Sequence, residues 1–509
     1  MPPVRRSPTL IAVLCAALAL LASSCSGGKD AEAARSSATA TGSDHASGKP
    51  NIVYVLTDDL SENLVQYMPH LRTMQQEGTT FSDFFATDSL CCPSRSTILT
   101  GRFPHNTGVF TNTGDDGGYG AFMQHGNEKH CYAPTMQQAG YRTGFMGKYL
   151  NGYQPAEEKG AATGHVPPGW DEWDVAGNGY PEYNYALNEN GKVHHYGHDP
   201  EDYLTDVVSR KATSFVDASA EKKQPFMLQL ATFAPHGPAT PAPRDKDSYP
   251  HLKAPRPEAY DHATENAPEW QQGLKPLTDT EQRSIDRKFA KRVRSVQAVD
   301  DMIGKLQDQL RAKGIADDTY LVFGSDNGFH MGEHRLRPGK QTAYDTDVNV
   351  PLIATGPDVP AGKKVDALAQ NTDMTPTFQD LAGLGSDEGA DGRSLAPLLH
   401  GRPEEDDWRD AVLVEHRHSA PRKDDPDAGP DKAGNPPSYE ALRTAQELYV
   451  EYADGQREYY DLRSDPQQLT NRADELSAGR RDRLHGALAR LEKCKGADSC
   501  RKAAQAGQE

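Results

Sequence analysis

Three things are missing from this chain of 509 residues. It lacks an excess of positive charge: 55 Lys and Arg stand against 73 Asp and Glu, a formal net charge of −18. That argues against a nucleic-acid partner, because phosphates need a basic face. A small anionic ligand stays open, since a basic pocket can sit inside an acidic protein. The chain also lacks an apolar run of the ~20 residues that a membrane span requires; the run Thr9 to Ala22 falls short of it. No internal repeat is evident, which argues against a solenoid or propeller. What is present, 36% hydrophobic and 25% charged residues, is the make-up of a soluble globule. The length suits one α/β core with an appendage.

Arg5 and Arg6 precede the short apolar run, and small residues lead from it to Cys25. That layout predicts an export signal over 1–25. Leu-Ala-Ser-Ser-Cys, ending at Cys25, resembles a bacterial lipoprotein box, so a lipid on Cys25 is expected to hold the protein at the cell surface. Plain cleavage and secretion is the alternative. Residues 26–49, rich in Ser, Ala, Gly and Thr, read as a flexible linker. Export would permit disulfides. Cys494 and Cys500 are close enough in sequence to bridge, and Cys92 with Cys131 is a second candidate pair.

Order is predicted to begin at Asn51, where NIVYVL reads as a buried parallel strand. Thr135 to Ala139 reads as helix, and Tyr141 to Met146 and Pro225 to Leu230 as strands. Val293, Val296, Val299, Ile303, Leu306 and Leu310 recur at helical spacing within a helix predicted over 285–313 and ended by Gly314. Tyr320 to Phe323 is then a short apolar strand. Strand, helix, strand order predicts a mostly parallel sheet covered by helices on both faces. In such sheets, sites gather at the carboxyl ends of strands. Asp58-Asp59 and Asp326-Asn327 both fall there. Residues 238–285 and 417–440 read as surface loops. From Leu442 short strands and a helix over about 474–493 predict a smaller α+β unit. The expected division is a core over 50–400, a C-terminal subdomain over 401–493 and a tail over 494–509.

The sharpest segment is Ser-Leu-Cys-Cys-Pro-Ser-Arg-Ser-Thr-Ile-Leu-Thr-Gly-Arg, residues 89–102. It resembles the sulfatase signature, Cys-x-Pro-Ser-Arg followed by an apolar pair and Thr-Gly. A second stretch, Gly140-Tyr-Arg-Thr-Gly-Phe-Met-Gly-Lys148, is similar to the family's second signature. Asp391-Gly-Arg-Ser-Leu and Glu458-Tyr-Tyr-Asp-Leu-Arg-Ser-Asp-Pro resemble its closing segments. Short motifs such as Gly-Lys-Tyr-Leu-Asn-x-Tyr are most similar to the N-acetylglucosamine-6-sulfatase branch.

The resemblance implies an alkaline-phosphatase-like core and a sulfate ester substrate, here a sulfated carbohydrate. It implies that Cys91 is oxidised to formylglycine by a separate formylglycine-generating enzyme. A hydrated aldehyde offers one hydroxyl to attack sulfur and a second whose deprotonation expels sulfate, an exit that serine or thiol lacks. The family match implies calcium bound by Asp58, Asp59, Asp326 and Asn327 together with residue 91, a donor set suited to a hard cation. Arg95 would stabilise the hydrate, Lys148 and Lys340 would bind sulfate, and His236 would protonate the leaving group. One position departs from the pattern: Leu150 stands where many members carry His. Asn151 and His105 are the candidate substitutes. His330 and His334, at i,i+4, also allow a zinc pair, with a role facing the substrate or supporting the site residues from behind as the preferred reading. Two other functions stay open: a phosphodiesterase or phosphonate monoester hydrolase of the same superfamily, and a silent glycan-binding protein on the same fold.

Overall fold

Every residue of Asn51–Thr57 is buried. A strand without alternation needs cover on both faces, which a sheet between two helical layers supplies. The computed structural model describes residues 48–156, 164–385, 389–402, 408–418, 425, 434 and 436–505. The expected export signal, Cys25, the linker and most of the expected 417–440 loop lie outside the described residues.

The described strands are β1 (Asn51–Thr57), β2 (Thr79–Phe81), β3 (Phe84–Phe85), β4 (Arg142–Lys148), β5 (Glu172–Ala176), β6 (Tyr185–Glu189), β7 (Lys192–Tyr196), β8 (Phe226–Ala231), β9 (Thr319–Ser325), β10 (Leu352–Thr355), β11 (Lys363–Val365), β12 (Ala369–Gln370), β13 (Ala411–His416), β14 (Tyr439–Thr444), β15 (Glu447–Tyr452) and β16 (Arg457–Asp461). Ten of them form one sheet in the order β11-β2-β10-β9-β1-β8-β4-β5-β6-β7. The central run from β9 to β5 is parallel. The antiparallel pairs lie outside it, at β10 and at β6 and β7. β1 sits mid-sheet, with Val53 beside Leu228 on one side and Leu321 on the other.

Alternate residues of β1 feed two cores. Ile52, Tyr54 and Leu56 pack with Ile98, Tyr132 and Phe378. Val53 and Val55 pack with Phe215, Phe289, Val293 and Val296. The second layer includes the helix Asp279–Ala312, which starts six residues before the predicted 285. Thr278 caps it in a reciprocal pair with Glu281, a capping box that lies upstream of the apolar periodicity.

β13 to β16 form a separate antiparallel sheet. The helix Ala478–Leu491 covers it with Leu484, Ala487, Leu488 and Leu491. Residues 494–505, the start of the expected tail, are folded: Cys494 and Cys500 are disulfide-bonded, Ala497–Ala503 is helical, and the amides of Asp410 and Ala411 donate to the Ala504 carbonyl. The second candidate bridge is not formed. The Cys92 thiol accepts from the Asn151 amide at 3.0 Å, while the Cys131 thiol faces the Asn127 carbonyl at 3.6 Å.

Candidate active site

Four neighbouring strands, β9, β1, β8 and β4, deliver the predicted residues to one edge. Asp326-Asn327 follow β9, Asp58-Asp59 follow β1, His236 follows β8, and Lys148 ends β4. All four strands are parallel, so these positions share the carboxyl edge. Cys91 opens the helix Cys91–Thr100, after Leu90 in extended conformation.

The groups are buried and in contact. Cys91 Sγ lies 3.1 Å from Asp58 Oδ1, and Lys340 Nζ donates to the same sulfur at 2.9 Å. Lys340 Nζ also donates to Asp59 Oδ1 at 2.6 Å, and Lys148 Nζ to Asp58 Oδ2. Arg95 Nε donates to Asp326 Oδ2 at 2.7 Å, and its Nη1 to the Lys148 carbonyl at 2.9 Å. His236 Nε2 is 3.7 Å from Asp59 Oδ2. Its Nδ1 is 2.8 Å from the Gly237 carbonyl. A carbonyl can only accept, so that contact puts the proton on Nδ1 and leaves Nε2 facing the carboxylates.

Charge is balanced locally. Burial works against ionising Asp58, but Lys148, His236, Arg95 and Lys340 outweigh it and hold its carboxyl well below the usual range. Burial, with Asp58 adding to it, pushes the Asp326 carboxyl up against the pull of Arg95. Lys148 resists the effect of burial because Asp58 keeps its ammonium charged.

The donor set fits a hard divalent cation. Oxygens of Asp58, Asp59 and Asp326 lie within 4.8 Å of one another. Asn327 Nδ2 donates to Asp59 Oδ1 at 2.7 Å, yet its buried Oδ1 has no hydrogen-bond partner. An unpartnered buried acceptor beside three carboxylates is costly unless a cation takes it up. Cys91 Sγ also falls within 4.8 Å of ligand atoms of Asp58 and His236.

Other expectations are not met at this centre. Asn151 packs against Cys92 rather than Cys91. His105 is held by Glu415 at 2.9 Å and by the Cys494 carbonyl at 2.9 Å, which tie it to the C-terminal unit. The zinc pair is overturned: His330 bonds Asp347 at 3.0 Å, while His334 bonds Thr264 at 3.0 Å and stacks on Tyr344. Leu150 and Tyr180 both line the site. The Tyr180 ring lies 4.6 Å from that of His236 and 4.9 Å from Lys148 Nζ, and its hydroxyl accepts from Asn151 Nδ2 at 3.2 Å. A cavity of about 420 Å³ opens here, lined by Lys148, Asn151, Gln154, Asn178 and Tyr180 among others. Nothing in the local sequence around Tyr180 marks it, because the β5–β6 connection carries it in.

Residues 50–384 match the profile of the family described as Sulfatase, and residues 332–493 match that described as N-sulphoglucosamine sulphohydrolase, C-terminal. The chain belongs to the sulfatase family and is a sulfuric ester hydrolase. N-acetylglucosamine-6-sulfatase of Capra hircus is 33% identical over 91% of this chain and 86% of its own length. The extracellular sulfatase SULF-1 homolog of Drosophila melanogaster is 35% identical over 72% of this chain but only 33% of its own length. A solved structure of a protein in complex with its substrate D-glucosamine-2-N,6-O-disulfate superposes with TM-score 0.72 at 23% identity, covering 91% of this chain and all of the other. That likeness establishes the fold, the expected α/β core with its smaller C-terminal unit.

Proposed function

We propose that this enzyme removes sulfate from a sulfated sugar, such as N-acetylglucosamine 6-sulfate, with formylglycine made from Cys91 and one calcium ion. The observation that carries the reading is Cys91 itself: a buried thiol at a helix start, with Lys340 Nζ at 2.9 Å and Asp58 at 3.1 Å, beside an all-oxygen cage. When hydrated, formylglycine supplies one hydroxyl to attack sulfur and a second to release sulfate. Asp58, Asp59, Asp326, Asn327 and residue 91 would hold the calcium ion, which when bound would supply positive charge to sulfate oxygens.

The chain's own residues do the rest. Lys148 and Lys340, whose ammonium groups lie on Asp58 and on Asp59 and Cys91, supply positive charge for the sulfate. Arg95, clamped to Asp326, lends its charge to residue 91 and keeps the helix start in place. In its imidazolium form, with Nδ1–H held by the Gly237 carbonyl, His236 gives the Nε2 proton to the departing sugar oxygen. Burial of the whole set keeps water from competing. Amide side chains of Asn151, Gln154 and Asn178 beside the Tyr180 ring suit a pyranose, whose hydroxyls need hydrogen bonds and whose faces are apolar. The names of the relatives support an amino-sugar sulfate. The N-terminal pattern supports export to a bacterial cell surface through a lipid on Cys25, with the formylglycine-generating enzyme as a partner in maturation.

The test is mass spectrometry of the peptide holding residue 91 in exported protein. Paired assays on sulfate and phosphate esters of one alcohol follow, with and without calcium. Formylglycine and a calcium-dependent preference for sulfate are expected. A phosphodiester preference would replace this reading, and fully modified protein without turnover would favour a silent binder.

A further inference from the structure

The long helix Asp279–Ala312 carries one arginine against the loops that hold the site. Arg292 is 4% exposed, and among the described residues no carboxylate lies within ion-pair distance of it. Its hydrogen bonds go to backbone instead. Nη2 donates to the Asp59 carbonyl, and Nη1 to the Pro235 carbonyl at 3.3 Å. The guanidinium also lies 4.4 Å from the centre of the Phe329 ring. One side chain therefore touches the loops that follow β1, β8 and β9, which carry Asp58-Asp59, His236 and Asp326-Asn327.

Burying a charge that no carboxylate contacts directly is unfavourable, even with Asp59 and Asp58 acting on it through space, and an apolar side chain would fill the space at less cost. The geometry points to a reason for keeping it. Asp59 adopts φ 66°, a left-handed conformation that non-glycine residues rarely take. That turn aims its carboxylate at Asn327 Nδ2 (2.7 Å) and Lys340 Nζ (2.6 Å), while its carbonyl points at Arg292. Pro235 immediately precedes His236. A planar fork can hold two carbonyls at a fixed separation; a lysine ammonium has no such geometry.

We propose that Arg292 is a positioning residue that sets Asp59 and His236 relative to each other. The inference rests on the reading that those two residues act at the site. Displacements near 1 Å cost about 100-fold in rate where reacting groups must align. In full-length protein with modified residue 91, Arg292→Met should therefore lower kcat about 10- to 100-fold, with a much smaller change in KM. Calorimetry on chelator-treated protein should show calcium binding weakened about tenfold, the scale seen when a group that orients a metal ligand is lost and a readout independent of turnover. Adding guanidinium to Arg292→Ala should recover part of the lost kcat, and Arg292→Lys should fall between.

Wild-type kcat and calcium affinity in Arg292→Met would overturn the proposal. So would a failure of guanidinium rescue combined with full activity in Arg292→Lys. If Arg292→Met does not fold, Arg292→Lys decides: unchanged kcat and calcium affinity refute, paired losses support. Wild-type protein that binds calcium but cleaves no sulfate ester would refute the parent reading instead, and leave the calcium comparison standing.

Discussion

Acidification should loosen the segment that carries Lys340, and His334 is where the proton acts. His334 is 1% exposed and stacks on Tyr344 with ring centres 3.9 Å apart. Thr264 Oγ1 accepts from Gln271 Nε2 at 3.2 Å and lies 3.0 Å from His334 Nδ1. Burial, with His330 and His262 nearby, pushes the imidazole down to about 3.

The unfolded chain's histidine titrates near 6.5. The folded value is depressed, so the neutral ring is accommodated without cost above pH 6.5, and stability is lost as pH falls from there toward 3. At pH 5 the loss is about 1.36 × 1.5, or ~2 kcal/mol. Other groups act in the opposite sense. Buried Glu182, pushed up to about 8, gains relative stability as pH falls. The assay must therefore be a difference. His334→Phe keeps a ring on Tyr344 and cannot protonate. Its loss of the Thr264 bond costs ~1 kcal/mol at every pH and cancels. Urea unfolding of both proteins at pH 8, 6.5 and 5, in constant calcium, should show the variant gaining ~2 kcal/mol on the wild type between pH 8 and pH 5. A gap that does not move with pH would refute the reasoning.

Asp326→Ala should weaken calcium binding, read by calorimetry, because it removes one cage oxygen and leaves Arg95 Nε without its carboxylate; unchanged affinity would remove Asp326 from the ligand set. His236→Ala should slow sulfate esters of alkyl alcohols far more than those of acidic phenols, which leave without a proton. Equal losses on both would remove it as the general acid. Cys500→Ser opens a bridge spanning six residues, which should cost about 2 kcal/mol in urea unfolding with turnover retained. A large loss of turnover would show that the 494–505 segment supports the site through His105 and Asn106, whose side chains contact the Cys494 carbonyl.

Much of the centre was legible because its parts are local patterns. β1 and β9 are apolar, β-rich runs that end in acid or amide pairs, and strand ends are where an α/β sheet places its chemistry. Cys91 and Arg95 sit in a contiguous motif, one helical turn apart. The helix Asp279–Ala312 was visible from its apolar spacing, but its first turn was not, since capping residues carry no such period. Cys92 and Cys131 were open as a pair only because sequence carries no distances; in the fold each thiol faces a different asparagine.

Arg292, Tyr180 and the true surroundings of His105 and His334 were not legible. An arginine on an amphipathic helix reads as a solvated charge until the helix is docked under three loops. The sequence alone determined which residue types were available, an oxidisable cysteine, oxygen ligands and two lysines, because chemistry is written in side chains. Tertiary structure decided that Lys340 and Cys91, 249 residues apart, meet at 2.9 Å. It also turned the Asp59 carboxylate into the site and tied His105 to the C-terminal unit. The physical reason is that a parallel sheet gathers the ends of distant strands at one edge, where burial brings their charged and polar groups into contact.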